Sequence, residues 1–132
     1  MRRVARPRAI VAVWSYYHSE INPEVDAVLV RYADEIVGTL WPPEFQLNRD
    51  HYRDLDFPFE RISWPILHAE ARWRAHDLMQ FVRTWSASQT WERNHGSNPV
   101  DVVRDELLRA WGDAEAERPV RWRLHGAIGR VR

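Results

Sequence analysis

The segment that decides the fold is Ala9-Ile10-Val11-Ala12-Val13-Trp14, which lies within MRRVARPRAIVAVWSYYHSE, residues 1–20. Each residue of this segment is apolar, and polar residues follow it. A short, continuous apolar run is typical of a strand that is covered on both faces, as in a parallel sheet. Such a strand is normally central and needs a neighbour on each side. The sequence therefore predicts a central parallel strand, and almost no chain precedes it.

The composition restricts the classes of function. The chain has 132 residues, of which 45% are apolar, so we expect one folded domain over residues 1–132. Its 19 basic and 19 acidic side chains cancel, so no net charge favours nucleic acid or an anionic membrane. It has no cysteine, which fits the reducing cytoplasm, and no apolar run approaches the roughly 20 residues of a membrane helix.

The segment after the first strand carries the signals of a helix. Asn22 is a good N-cap, Pro23 suits the first helical position, and Gly38 suits the end. Apolar residues between them recur at helical spacing and form one face, Val25, Val28, Leu29, Tyr32 and Ile36. The pattern predicts a helix over residues 22–38.

The rest of the chain predicts one connection, two strands and two helical segments. The proline-rich residues 41–65 predict an irregular connection with a turn of helix at Pro43-Glu44, and alternation over residues 66–74 predicts a half-exposed strand. Helical periodicity covers residues 75–96 and, after the second Asn-Pro signal at Asn98, residues 98–112. The alternating residues 119–132 predict a final strand with Val120, Trp122, Leu124 and Ile128 on one face.

Several segments together resemble the C-terminal part of class I S-adenosylmethionine-dependent methyltransferases, in the group of trans-aconitate methyltransferase-like proteins. They are RRVARPRAIVAVWSY, NPEVDAVLVRYADEIVGTLWPPE, YRDLDFPFE, RTWSASQTW and LLRAWGD. The resemblance implies an α/β fold, the C-terminal portion of a doubly wound Rossmann-like sheet. This portion has one central parallel strand, an antiparallel strand pair and three main helices.

The resemblance also implies what is missing. In the family, S-adenosylmethionine is held by a Gly-rich turn and an acidic residue that lie early in the sequence, and neither has a counterpart here. We therefore expect a partial domain, the C-terminal half without its cofactor-binding half, which does not bind S-adenosylmethionine alone. Members of the family also carry two glycines after the Arg-Pro that precedes this strand, where a positive φ is useful, whereas this chain has Arg8-Ala9.

The candidate substrate-binding residues are mostly aromatic. In a doubly wound sheet, ligands bind beyond the carboxyl ends of the strands, and in the family this region shapes the pocket for the methyl acceptor. We select Trp14, Tyr16, Tyr17, Trp41, Arg83 and Trp85, with Arg83 as the partner of a substrate carboxylate. Packing in the core is the ordinary alternative for each ring. The sequence identifies no catalytic residue.

The functional prediction is a truncated methyltransferase-like protein that carries the acceptor side and is inactive alone, so whether the chain is an enzyme stays open. The small-molecule acceptor is a carboxylate under this interpretation. One alternative is a stand-alone binding or assembly module that uses an aromatic pocket or an exposed strand edge, and another is a small enzyme with a new site. We expect self-association or a partner that covers the first strand. The six histidines show no metal-ligand spacing, so no metal site is predicted.

Overall fold

The structure, a computed structural model, describes residues 5–132, and the chain start at Met1 lies outside this range. Its strands are β1 (Ile10–Glu20), β2 (Glu60–Ile62), β3 (Leu67–Trp73) and β4 (Arg118–Arg130). Its α-helices are α1 (Pro23–Arg31), α2 (Phe45–Arg49), α3 (Ala75–Arg83), α4 (Ser86–His95) and α5 (Arg104–Trp111). A π-helical turn, Tyr32–Ile36, and two 3₁₀ turns, Gly38–Leu40 and Pro99–Val102, complete the order.

The described strands form one antiparallel sheet around β4. The strand order is β1-β4-β2, and β3 also pairs with β4. The register of β2 against β4 places Glu60 opposite Arg130 and Ile62 opposite Ile128. The antiparallel pairing expected for the two late strands is found, but the expected central parallel strand is not: among described residues, β1 lies at one end of the order.

β1 is longer and more open than the apolar run indicates. It has 11 residues and alternates strictly between half-buried and exposed positions. Val11 and Val13 lie on the half-buried side, whereas Ile10 and Trp14 lie on the exposed side. The interpretation as a strand covered on both faces is therefore wrong for these residues. Apolarity by itself does not distinguish a covered strand from an edge strand with exposed apolar side chains.

A tight turn leads into β1. The Ala9 N–H donates to the Arg6 carbonyl over 3.1 Å, with Pro7 and Arg8 at the two central positions. Arg8 has φ 67°, the left-handed value that a type II turn requires at its third residue. Arg8 N–H donates to Val131 O, and Val131 N–H donates to Ala9 O, so two residues face one across the sheet, as in a β-bulge. Arg8 thus takes the positive φ at this turn although it is not a glycine.

The described chain divides into two compact units. The strand unit comprises the described residues up to His18 together with Glu44–Ala69 and Trp122–Arg132. The helical unit comprises Ser19–Pro43 and Glu70–Arg121. The expected single partial domain stays a prediction.

In the helical unit, the N-terminal signals of α1 act as expected. Asn22 Oδ1 accepts a hydrogen bond from the Val25 N–H at 2.8 Å, and Pro23 occupies the first position. The helix widens into the π turn, where the Val37 N–H reaches the Tyr32 carbonyl instead of that of Ala33. The Ala33 carbonyl freed in this way accepts from Trp41 Nε1 at 2.9 Å. A sequence pattern of period 3.6 does not reveal this local change.

The later helices of this unit confirm the buried stripe and correct one boundary. The stripe expected from the sequence, Val100, Val103, Leu107 and Trp111, is buried throughout. The helical segment 75–96 is interrupted, because Trp85 takes an extended conformation with ψ 141° between α3 and α4. α4 ends at Gly96 and α5 at Gly112, as expected.

The connection predicted over residues 41–65 is more regular than expected. It contains α2, immediately after the expected turn of helix, and the short strand β2. β4 also changes its buried face along its length: Val120 and Trp122 are buried, and further on Ala127 and Gly129 are buried while Ile128 is not. Ile128 is thus only half-buried, although alternate residues of a strand share one face with Val120 and Trp122.

The change of face occurs at a glycine. A Cβ built on Gly126 would lie 2.0 Å from the Val13 carbonyl oxygen, so only glycine allows β1 this close to β4. A glycine inside a strand often marks such a close approach, and it is the one signal of this change in the sequence.

Candidate functional site

In the strand unit, β1 presents three of the candidate rings. Trp14 is 58% exposed and Tyr16 is 36% exposed, and both lie on the same face of β1. Tyr17 lies on the opposite, half-buried side. Two of the three rings have packing partners, and Trp14 is the most accessible.

The two tyrosines differ in their surroundings. The rings of Tyr16 and the buried Trp122 have centroids 5.8 Å apart. Tyr17 packs on Phe45 with centroids 5.7 Å apart, and its hydroxyl accepts a hydrogen bond from Arg49 Nε at 2.8 Å. Tyr17 therefore holds α2 in place, while Tyr16 covers part of β4.

In the helical unit, Trp41 and Trp85 are brought together. Their ring centroids are 5.7 Å apart, and Trp85 also lies 5.9 Å from Tyr32 and 6.2 Å from Phe81. These tilted and edge-on arrangements are those that aromatic rings prefer when they pack. The cluster explains why α4 begins after Trp85: the extended residue turns its ring into this group.

Beneath this cluster lies a buried polar contact that no sequence pattern indicates. The Tyr32 and Ser88 hydroxyl oxygens are 2.7 Å apart, and Ser88 donates to the Val82 carbonyl at 2.9 Å. Since Ser88 uses its proton on Val82, Tyr32 is the donor to Ser88. Burial raises the pKa of Tyr32 to about 12, although the hydrogen bond with Ser88 opposes the shift. Tyr32 is therefore a neutral donor with a structural role.

Arg83 already binds a carboxylate of the chain itself. Its Nη2 lies 2.5 Å and its Nε 3.2 Å from the two carboxylate oxygens of Glu92. This bidentate pair joins α3 to α4, raises the pKa of Arg83 and lowers the pKa of Glu92. The side chain of Arg83 is still 42% exposed. A substrate carboxylate would have to replace Glu92.

A histidine cluster in the strand unit also lies outside the predicted set. His125 Nε2 lies 2.8 Å from Asn48 Oδ1, and the His51 ring stacks on His125 with centroids 4.2 Å apart. Burial, and then the charge of His51, lower the pKa of His125. His51 and Tyr52 have left-handed φ values of 55° and 57°, which are uncommon for residues other than glycine. Because the two histidines are far apart in the sequence, their spacing carries no signal.

The strand unit also contains a cavity of about 440 Å³. It is lined by Ala5, Pro7, Pro58, Phe59, Val131 and Arg132, and polar atoms form most of its lining surface. None of the candidate substrate-binding residues lines it.

Residues 5–132 form neither a metal-binding cluster nor a membrane-spanning helix. No group of three or more histidine, cysteine, aspartate or glutamate side chains in this range is arranged to hold a metal ion. In the same range, no helix has the length and apolar character needed to cross a membrane.

The residues present do not fit a cradle for S-adenosylmethionine. Within the described range, no glycine-rich turn joins a strand to a helix: Gly96 and Gly112 follow helices, and Gly126 lies inside β4. The connection from β1 to α1 contains no glycine. At this helix start the Val25 and Ile21 N–H groups already bond to Asn22 and Asp26 at 2.8 and 3.0 Å. No backbone donor cluster of the kind that holds a nucleotide is formed there.

Comparison with solved structures supports a methyltransferase-like fold. The chain superimposes with a TM-score of 0.88 and 36% sequence identity on a protein from Anaeromyxobacter dehalogenans described as a proposed type II methyltransferase. The match covers 98% of this chain and 55% of that chain, so the chain spans about half the length of its structural neighbour. No family model matches the sequence, and no curated protein matches it. The methyltransferase part of the resemblance is thus supported, whereas the trans-aconitate group stays a prediction.

Proposed function

We propose that this chain carries the acceptor-substrate side of an S-adenosylmethionine-dependent methyltransferase. The observation that carries the proposal is the superposition over 98% of the chain on a proposed methyltransferase. Because the chain corresponds to 55% of that protein, the activity, acceptor and partners of a whole methyltransferase are part of the proposal. We also propose that the protein acts in the cytoplasm.

We further propose that the chain alone does not hold S-adenosylmethionine. The support is the start of α1, where Asn22 and Asp26 already occupy the backbone donors, and the absence of a glycine-rich strand-to-helix turn among residues 5–132. Isothermal titration calorimetry of the purified chain with S-adenosylmethionine tests this. We expect no binding. A dissociation constant below roughly 100 μM, about −5.5 kcal/mol, would overturn it.

The proposed acceptor is a small carboxylate. Each unit supplies part of the candidate set: Trp14, Tyr16 and Tyr17 in the strand unit, and Trp41, Arg83 and Trp85 in the helical unit. The support for a carboxylate is the geometry of Arg83, which already binds a carboxylate in bidentate form and keeps a large exposed fraction. A substrate carboxylate would take the place of Glu92.

This exchange gives a direct test with trans-aconitate as the probe. Glu92→Gln frees the guanidinium, so we expect trans-aconitate to bind this variant at least about threefold more tightly than the parent, as measured by tryptophan fluorescence. Arg83→Met should remove the binding. Glu106→Gln is the control, because Glu106 forms an ion pair with Arg31 through one contact of 2.5 Å in the same unit. Equal effects of Glu92→Gln and Glu106→Gln would contradict the role of Arg83.

A binding or assembly module is the second candidate function. Trp14 favours it, because a tryptophan that is 58% exposed on an edge strand is an unusual use of a large apolar side chain.

A further inference from the structure

The free edge of β1 is defined by the hydrogen bonds on its other edge. Ala9 O accepts from Val131 N at 2.9 Å, and the Val13 carbonyl points at Gly126. In an antiparallel ladder, alternate residues bond to the same neighbour. Ala9, Val11 and Val13 therefore face β4. The backbone N–H and C=O groups of Ile10, Ala12 and Trp14 point to the opposite edge, where the strand order of the described residues has no further strand.

Asn48 limits the open part of this edge. Its Nδ2 donates to the Tyr16 carbonyl at 3.1 Å, and its Oδ1 meets His125. The Tyr16 carbonyl is thus occupied within the chain. The segment left open is the short stretch Ile10–Trp14.

The open segment lacks the usual protection of an edge strand. Natural edges carry charged side chains, prolines or bulges that prevent pairing with another strand. Residues 9–17 contain neither a charged residue nor a proline. On the exposed side, Ile10 is 51% and Trp14 is 58% exposed, with the small Ala12 between them.

From this arrangement we propose that β1 pairs with β1 of a second copy of the chain, antiparallel and centred on Ala12. In this register Ile10 of one copy lies opposite Trp14 of the other, and the two-fold axis produces this pair twice. Pairs of an aromatic and a β-branched residue are among the favourable cross-strand pairs. The partner at the free edge of β1 is therefore β1 of a second copy, because this one strand supplies both the isoleucine and the tryptophan of each cross-strand pair.

Charge and size agree with this register. Ala12 lies on the two-fold axis, where a small side chain allows the two strands to approach. The open segment contains no charged residue, so the pairing places no like charges together. A strand pair this short buries little area, so we expect a reversible dimer with a dissociation constant on the order of 10–100 μM. The inference does not depend on methyltransferase function.

Sedimentation equilibrium across a range of concentrations is the first test. Trp14→Lys removes both aromatic pairs and adds a charge to the edge, so we expect dimerisation to weaken at least about tenfold. Val102→Lys is the matched control, because Val102 is 57% exposed in the helical unit and the chemical change is similar. A parent chain that stays monomeric up to about 1 mM, or two variants with the same effect, would overturn the proposal.

The absence of cysteine from the chain allows a sharper second test. In the proposed register the two Ala12 Cα atoms form a hydrogen-bonded antiparallel pair about 5.5 Å apart, within the range that a disulfide spans. Ala12→Cys should therefore form a covalent dimer under mild oxidation much faster than the control Val102→Cys. Both variants are small changes at exposed positions. Equal cross-linking rates at the two positions would exclude pairing centred on Ala12.

Discussion

The two units differ in how they accommodate left-handed backbone. In the described residues, Gly96 and Gly112 are the left-handed glycines, and both end helices of the helical unit. The left-handed residues that are not glycine, Arg8, His51 and Tyr52, all belong to the strand unit. A side chain at such an angle costs free energy and persists only where the surroundings require it. The strand unit therefore carries backbone strain that the helical unit avoids.

The aromatic side chains show the same contrast. In the helical unit, Tyr32 and Trp111 are fully buried, and Trp41 and Trp85 pack on each other. In the strand unit, Trp14 is largely exposed on an edge strand. Strained backbone and exposed large apolar groups are features of binding surfaces, whereas packed rings are features of cores. The comparison indicates that the rings of the helical unit serve mainly stability and that those of β1 are available for binding.

The largest predicted effect comes from replacing one tryptophan by alanine in each unit, which tests whether the rings of the helical unit serve stability and those of β1 do not. Trp111→Ala should lower the free energy of unfolding by about 3–5 kcal/mol, because it leaves a cavity in the core. It also removes the hydrogen bond from Trp111 Nε1 to the Ala116 carbonyl. Trp14→Ala should change it by less than about 0.5 kcal/mol. Urea unfolding of the two variants gives both values, and similar losses would contradict the comparison.

The next effect sharpens the role of the buried hydroxyl pair. Ser88→Ala leaves the Tyr32 hydroxyl without its partner, so we expect a loss of about 1–3 kcal/mol in the free energy of unfolding. The double variant Tyr32→Phe/Ser88→Ala removes both partners and should recover part of this loss. Thermal unfolding of Ser88→Ala, Tyr32→Phe and the double variant, compared with the parent chain, completes a double-mutant cycle. Additive losses would show that the two hydroxyls do not interact.

Much of the helical unit could be predicted from the sequence, because its signals are local. The Asn-Pro starts at Asn22 and Asn98, the glycine ends and the stripe from Val100 to Trp111 each depend on a few neighbouring residues. The break at Trp85 could not be predicted, because the ring packs on Trp41 and Tyr32, which are distant in sequence. For β1, the sequence predicts a strand but not its place in the sheet, since apolarity does not identify a neighbour.

The candidate site was less predictable than the fold. The spacing of aromatic residues does not show that Trp14 is open while Tyr17 is packed under α2. The ion pair of Arg83 with Glu92 could not be predicted either, because Glu92 lies after the unexpected break between α3 and α4. The contact of His125 with His51 and Asn48 depends on the fold of the connection 41–65, for which the sequence predicts an irregular path with one turn of helix.

A smaller effect tests whether the strain at Arg8 is real. Gly96 has φ 67°, and no atom lies within 4 Å of the position that a Cβ would take there, so Gly96→Ala should cost about 1 kcal/mol from conformation alone. Arg8 has the same φ, so Arg8→Gly should stabilise the chain by about 0.5 kcal/mol, after the greater freedom of glycine in the unfolded chain is subtracted. Chemical denaturation measures both changes. Loss of stability on Arg8→Gly would show that the Arg8 side chain outweighs the strain.

The smallest effect concerns the pH dependence of the strand unit. Burial and the neighbouring His51 lower the pKa of His125 in the folded chain below its ordinary value of 6.5. The unfolded chain then binds this proton more readily. As the pH falls through 6.5, the free energy of unfolding should decrease, and this contribution levels off below the folded pKa. His125→Gln should flatten the stability profile between about pH 7 and pH 5, measured by urea unfolding at each pH.

His68→Gln, a change at an exposed position of β3 in the same unit, is the control. If the profile of His125→Gln is as steep as that of His68→Gln, a group other than His125 causes the acid sensitivity.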